Sequence, residues 1–358
     1  MDFATEMATM DLTTMTTIVD LAPTANTEID WSWKHIDWSY SEILHLCSSV
    51  LGIVGNLLVI LALRKRRAAS RSTDTLMSAL AFADFLTSIF TIPVPSAATV
   101  PDSPLGQFYC KMTLPGFFLF VAFTASSYIL MAISIERFLA VVYPLQFNQL
   151  MARKQMLFIV ISIIWIVSFL VYGIFIATAV IANEVTHTCT LYFPTNAAKV
   201  TLGYFMFIYR FVLPVMVMLI TQVFIACKLH QHSVHFKGQE AVSFHIKARN
   251  RVLKLMSIVI IVFIITWGPG QFSFFLYTIG VLPPTYIGGP LHKFIIVFTT
   301  YNSCMNPVIY IVWFPEFRMA LRQLFSCKPS TAAQSEEAIV ESKNESVSRR
   351  TSNMSNNI

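Results

Sequence analysis

Four groups of residues could do chemistry in this chain, and each lies in or beside a long apolar run, where an uncompensated polar group is costly. Asp84 sits in Leu80-Ala81-Phe82-Ala83-Asp84, Glu136-Arg137-Phe138 falls near the end of another run, Tyr209-Arg210-Phe211 precedes Pro214, and Asn306-Pro307-Val308-Ile309-Tyr310 lies in the last run. A carboxylate so placed holds a proton or a hard cation. An adjacent acid and arginine form an ion pair that a competitor can open, although an arginine at a helix end can equally snorkel beside its neighbour. A permanent cation such as Arg210 needs an acceptor; a ligand carboxylate would serve, and so would backbone carbonyls or Gln271. Pro307 frees a carbonyl inside a helix, and the amide of Asn306 can take that bond, making a polar, bendable point suited to switching. Hydrolysis has no candidate, because neither an HExxH nor a GxSxG pattern occurs.

The elements that must carry these groups are readable from hydropathy. The 358 residues are 55% hydrophobic and 12% charged, a membrane-protein composition. Seven stretches reach the roughly 20 residues that cross a bilayer as a helix: about Ile43 to Leu63, Thr75 to Ala97, Met112 to Val142, Met156 to Ile181, Val200 to Cys227, Val252 to Thr278 and Pro290 to Trp313. Basic residues gather after the first, third and fifth, as Arg64, Lys65, Arg66, Arg67 and Arg71, then Arg153 and Lys154, then Lys228, Lys237, Lys247, Arg249, Arg251 and Lys254. This bias predicts that those connections are cytoplasmic and that the acidic amino terminus is extracellular. The net charge of +6 is then a topology signal and a lipid contact, and no nucleic acid is expected. The acidic, Thr- and Met-rich start has no signal-peptide pattern, so the first span is expected to act as the anchor. The expected architecture is an all-α membrane protein: an acidic disordered segment over residues 1–42, a seven-transmembrane helix bundle over 43–313, an amphipathic membrane-surface helix over 314–328 and a disordered tail over 329–358.

Asn306-Pro307 with Tyr310, Glu136-Arg137-Phe138, Gly55-Asn56, Phe263 and Thr266-Trp267-Gly268-Pro269 together resemble the rhodopsin-like G-protein-coupled receptors, from about Leu51 to Cys327. The resemblance implies that Glu136 and Arg137 form an activation latch and that Trp267 and Pro269 mark a hinge in the sixth span. It gives Asn306, Pro307 and Tyr310 a switching role in the seventh. It implies that Asp84, with Ser126, Asn302 and Asn306 and with Asn56 and Ser303 nearby, binds sodium as an allosteric modulator; a protonated Asp84 in a structural network is the alternative. No other cofactor is expected. It also implies a disulfide between Cys110 and Cys189 and makes Cys327 a palmitoylation candidate, whereas Cys47, Cys227 and Cys304 read as small apolar fillers. Several positions depart from the pattern. Glutamate stands for aspartate at 136, phenylalanine for tyrosine at 138, threonine for cysteine at 266 and glutamine for an active-state tyrosine at Gln222. Cys110 lies 27 residues before Arg137, two more than usual, and Pro115 is expected to absorb the difference.

Counting back from Arg137 puts Leu119 where monoamine receptors carry their amine-pairing aspartate, and counting back from Pro307 puts Thr300 at the retinal lysine of opsins; neither ligand class fits. A cavity is expected in which Arg210, Gln271, His292 and Lys293 supply positive and polar points, with Leu119, Tyr204 and Tyr209 in its wall. A neuropeptide or peptide hormone is the expected ligand, and a lipid or small acid the alternative. Trp31, Trp33 and Trp38 beside Asp30 and Asp37 could catch a basic peptide or anchor the chain at the membrane interface. The implied partners are a heterotrimeric G protein, arrestin and receptor kinases acting on tail residues such as Ser346, Ser348 and Thr351, and membrane lipids. The implied location is the plasma membrane, and no enzymatic activity is expected. A non-signalling decoy is a rival because of Gln222; a transporter is disfavoured by the absence of any repeated motif.

Overall fold

The structure, a computed structural model, describes residues 30–65, 71–113, 116–151, 154–183, 185–235, 240–313 and 315–325. Cys327, the tail, the acids before Asp30, Arg66, Arg67, Pro115, Arg153, Lys237 and the side chains of Lys247, Arg249 and Arg251 lie outside the described residues. Seven helices form a bundle. The first is Tyr40–Lys65, the second Arg71–Phe90, the third Phe117–Val142, the fourth Lys154–Ala179, the sixth Glu240–Thr278 and the seventh Pro290–Trp313. The fifth is built from Asn196–Phe207, a π-helical segment Ile208–Val212, and Leu213–His235. Six of the seven are long and apolar enough to cross a membrane; the second, which carries Asp74 and Asp84, is the seventh member. The first four spans pack in sequence order, as do the fifth, sixth and seventh; the seventh closes the ring on the first, and the third links the two groups by packing on the fifth.

The bundle is apolar outside as well as within. Phe158, Ile159, Ile166, Val223 and Phe224 face outward, whereas Asn56, Asp84, Ser126, Glu136, Arg210 and Asn306 are buried. In lipid the outer face needs no polar groups, so those that remain are turned inward, where partners exist. Leu80, Ile129, Ile133, Phe263 and Trp267 fill the space between them. The first span approaches the seventh closely because residue 55 is glycine: a Cβ there would lie 2.9 Å from Pro307 Cγ.

Several expected boundaries need correction. The second span stops at Phe90 instead of reaching Ala97, because Pro93 and Pro95 follow and neither can continue a helix. Strand β1 (Ser32–Lys34) pairs antiparallel with β2 (Ser96–Thr99), so part of the segment 1–42 is ordered, and the first helix begins within it at Tyr40. The apolar run starting at Met112 is not one helix. A separate helix, Pro104–Thr113, carries Cys110, and the third span starts only after Gly116, whose φ of 58° is a left-handed conformation that glycine adopts freely. The fourth span ends at Ala179, short of Ile181, because Val180–Asn183 is strand β3, paired with β4 (Thr188–Leu191). The fifth and sixth helices run past their apolar cores, to His235 and back to Glu240. Cys47 and Cys227 are exposed on the bundle surface, and Cys304 alone of these three is buried. After the seventh span, Pro315–Phe325 forms the surface helix; Phe317 and Ala320 are buried, with Phe317 against Tyr310, but Phe325 is exposed.

Candidate functional site

Asp84 has no exposed surface, and each of its carboxylate oxygens accepts one side-chain bond, from Ser126 Oγ at 2.7 Å and from Asn306 Nδ2 at 2.7 Å. The second, third and seventh spans are thereby tied at one carboxylate. The expected set around it is not reproduced in full. Asn302 turns to the sixth span, where its Oδ1 accepts from Thr266 Oγ1 at 3.2 Å. Asn56 Oδ1 and Ser303 Oγ are buried without a partner. Carboxylate, hydroxyl and amide oxygens are the donor set a hard cation takes, and Asp84, Ser126 and Ser303 bring two of these types together, so the residues present fit sodium.

Prolines organise the rest. Pro307 leaves the Ser303 carbonyl without its helical donor, and the sequence suggests Asn306 as the substitute. The donor is instead Asn56 Nδ2 of the first span, at 2.9 Å, which also bonds the Gly52 carbonyl. Asn306 is thereby left for Asp84. In the fifth span Pro214 cannot donate to the carbonyls four and five residues before it, and both receive side-chain donors from other spans. Tyr128 Oη of the third donates to the Tyr209 carbonyl at 2.8 Å, and Trp267 Nε1 of the sixth donates to the Arg210 carbonyl at 3.4 Å. Near Pro269, Thr299 Oγ1 of the seventh span donates to the Thr266 carbonyl at 3.3 Å. A backbone weakness in one helix is thus held by a side chain from another.

Glu136 and Arg137 form an ion pair, with Glu136 almost fully buried. The second span completes the arrangement, a role that no motif in the chain announces. Ser72 Oγ and Thr73 Oγ1 donate to Glu136 Oε1 at 2.6 and 3.1 Å, and the Arg137 guanidinium donates to Thr73. Hydroxyls at the start of a helix read from sequence as caps, which hides this role. Gln222 is buried, and neither end of its amide has a partner among the described residues. Tyr310 is buried against Phe317. Lys254 Nζ of the sixth span lies 4.6 Å from the centre of the Trp313 ring on the seventh, a contact between the two spans at the Arg137 end.

At the opposite end, Cys110 and Cys189 form a disulfide that holds β4 to the helix before the third span. Trp31 stacks on Trp33, and both meet the edge of Tyr109. Below lies Arg210, buried, its guanidinium carbon 4.8 Å from the Phe120 ring centre, 5.2 Å from Trp267 and 5.5 Å from Tyr172. Gln271 is also buried, and Leu119 packs against the core. The expected cavity is otherwise corrected. Tyr204 points outward against Phe275. His292 packs on Tyr286 and accepts from the Gly288 amide, and Lys293 lines a separate cavity of about 250 Å³ with Lys34, Asp37, Glu42 and His45. Of these consecutive positions on the seventh helix, His292 faces the loop that precedes it and Lys293 faces the first span and the amino-terminal segment. The aromatic cage of Phe120 and Tyr172 was not foreseen; its one sequence signal is that Phe120 and Phe123 share a helix face.

This arrangement of seven helices, Pro-kinked spans and a tethered loop agrees with the comparisons. Residues 55–310 match the model of the 7 transmembrane receptor (rhodopsin family). An allatostatin-A receptor of Bombyx mori is 27% identical over 294 residues, covering 78% of each chain. A galanin receptor 2b of Danio rerio is 26% identical over 281 residues, covering 78% of this chain and 72% of that receptor. A trace amine-associated receptor 8c of Rattus norvegicus is 26% identical over 304 residues, covering 78% and 84%. With most of its length matched, the chain belongs to the rhodopsin family of seven-transmembrane receptors, multi-pass membrane proteins that signal and do not catalyse.

Proposed function

We propose that this chain transmits the binding of a peptide at its disulfide end to a heterotrimeric G protein at its Arg137 end. One observation carries the reading: a buried polar line in which Asp84, Asn306, Asn56 and the Glu136–Arg137 pair each join different helices. Such bonds belong to one arrangement of the helices, and a ligand that binds another arrangement more tightly shifts the population toward it. The relatives named for allatostatin-A and galanin favour a peptide, and Leu119 removes the anchor that an amine would need. On this reading the amino terminus is extracellular and the chain resides in the plasma membrane. Asp84, Ser126 and Asn306 would hold sodium, with Asn56 and Ser303 supplying free oxygens; the ion neutralises the buried carboxylate. Arrestin and receptor kinases act on the tail serines and threonines, and Arg318 and Arg322 of the surface helix face anionic lipid.

The unpartnered Gln222 favours one second reading, a receptor that binds its ligand without exchanging nucleotide on a G protein. Cells expressing the full chain, exposed to a neuropeptide library that includes allatostatin-A and galanin peptides, separate the two. Saturable nucleotide exchange is expected from at least one peptide. Ligand-dependent arrestin recruitment with no exchange would establish the decoy and overturn the proposal.

A further inference from the structure

Arg210 is 7% exposed, and its Nε and Nη2 have no hydrogen-bond partner. A guanidinium cannot relieve the cost of burial by losing its proton. The three rings around it attract the charge through their faces. They do not accept in-plane N–H bonds. Nε and Nη2 share one edge of the planar fork, and their N–H bonds run nearly parallel, the geometry that meets two oxygens of one carboxylate. The described acids nearest in role are already engaged: Asp84 by Ser126 and Asn306, Glu136 by Arg137 and the hydroxyls of the second span, and Glu42 by Ser39 and Ser41. A buried two-pronged donor edge is therefore left without an acceptor among the described residues.

We infer that Arg210 is the anchor for a carboxylate on the ligand, so that the receptor selects peptides bearing an Asp, a Glu or a free carboxyl terminus that reaches below the disulfide-held hairpin. This deepens the reading under Proposed function and rests on it. Inside an aromatic wall the pair is little screened by water, and so the carboxylate discriminates strongly against its amide. The same guanidinium stacks on Trp267, which in turn donates to the Arg210 carbonyl. An anion drawn to the open edge thus acts on the residue two positions before Pro269.

The test uses matched peptide pairs, one member carrying Asp or Glu and the other Asn or Gln, on cells expressing the full chain, Arg210→Gln or Arg210→Lys. On the unaltered chain the acidic member of each active pair should be more potent by about 30-fold or more. On Arg210→Gln the members should fall within about threefold of each other, and Arg210→Lys, which keeps the charge without the fork, should restore part of the preference. Equal potency on the unaltered chain, or an undiminished acid preference on Arg210→Gln, overturns the inference. A second measurement needs no ligand. Purified full-length Arg210→Met should melt at least about 2 °C above the unaltered receptor, because an uncompensated buried charge is gone. A lower melting temperature would make Arg210 a structural brace and overturn the anion site. If no peptide drives exchange through the unaltered chain, the receptor reading fails, while the melting comparison still decides Arg210.

Discussion

Arg210 and Trp267 hold each other twice: the indole N–H reaches the Arg210 carbonyl at 3.4 Å, and the Arg210 guanidinium lies 5.2 Å from the centre of the indole ring. The fifth and sixth spans are clasped there, beside Pro214 and Pro269. Replacing Trp267 by Phe keeps an aromatic face and removes the N–H donor. Basal nucleotide exchange should rise about twofold to tenfold, corresponding to a net hydrogen bond of about 0.5–1.5 kcal/mol. Agonist-free exchange assays at matched surface expression check this; an unchanged or lower basal rate contradicts the clasp.

Glu136 accepts from Ser72, Thr73 and Arg137 in one place. Glu136→Gln removes the charge that holds the guanidinium, and bonds to charged groups contribute about 1.5–3 kcal/mol. Basal exchange is therefore expected to rise by tenfold or more, an order-of-magnitude figure set by the same energies. The double change Ser72→Ala with Thr73→Ala should act in the same direction and less strongly. Should the double change lower basal exchange, the hydroxyls are caps and not part of the latch.

Asp84→Asn replaces two acceptors by one acceptor and one donor: Asn306 Nδ2 can keep the oxygen, and the Ser126 hydroxyl can turn to accept from the new amide, so the network survives without the negative charge. Raising sodium chloride against potassium chloride at constant ionic strength should weaken agonist binding to the unaltered chain and leave the variant unaffected. Equal sodium sensitivity in both would remove the ion from Asp84.

Gln222 is buried with neither end of its amide paired, so it costs stability in the present arrangement. Gln222→Leu should raise the melting temperature of the ligand-free receptor and lower maximal exchange, if the amide finds its partner in the signalling arrangement. Gln222→Tyr should leave exchange unchanged or raise it. A clear loss of signalling by the tyrosine variant would show that the glutamine is not a weaker substitute for a phenol.

The spans and their kinks were legible because lipid imposes a length of apolar sequence and proline imposes a break. The partners of those breaks were not. Asn306 and Asn56 can both donate to the carbonyl freed by Pro307, and spacing along the chain favours the nearer one, whereas helix packing delivers Asn56. His292 and Lys293 were placed beside Arg210 by height along the seventh helix. Rotation about the helix axis, which depends on the neighbours, turns them toward Tyr286 and Glu42. Strands of three and four residues such as β1 and β2 leave almost no periodic trace, and their pairing is a long-range event that local pattern cannot announce. The pairing of Cys110 with Cys189 and of Asp84 with Ser126 and Asn306 follows from the family resemblance, and the ion pair from adjacency along the chain.

Lys254 rests over the Trp313 ring, 4.6 Å from its centre. Among the described residues, an ammonium lying on an indole thus joins the sixth and seventh spans at the Arg137 end. Such a contact at an exposed position is worth about 0.5–1 kcal/mol, a factor of roughly two to five in population. A detent that shallow adds little to the resting arrangement by itself, so the two spans part at this mouth at small cost once the deeper contacts have let go.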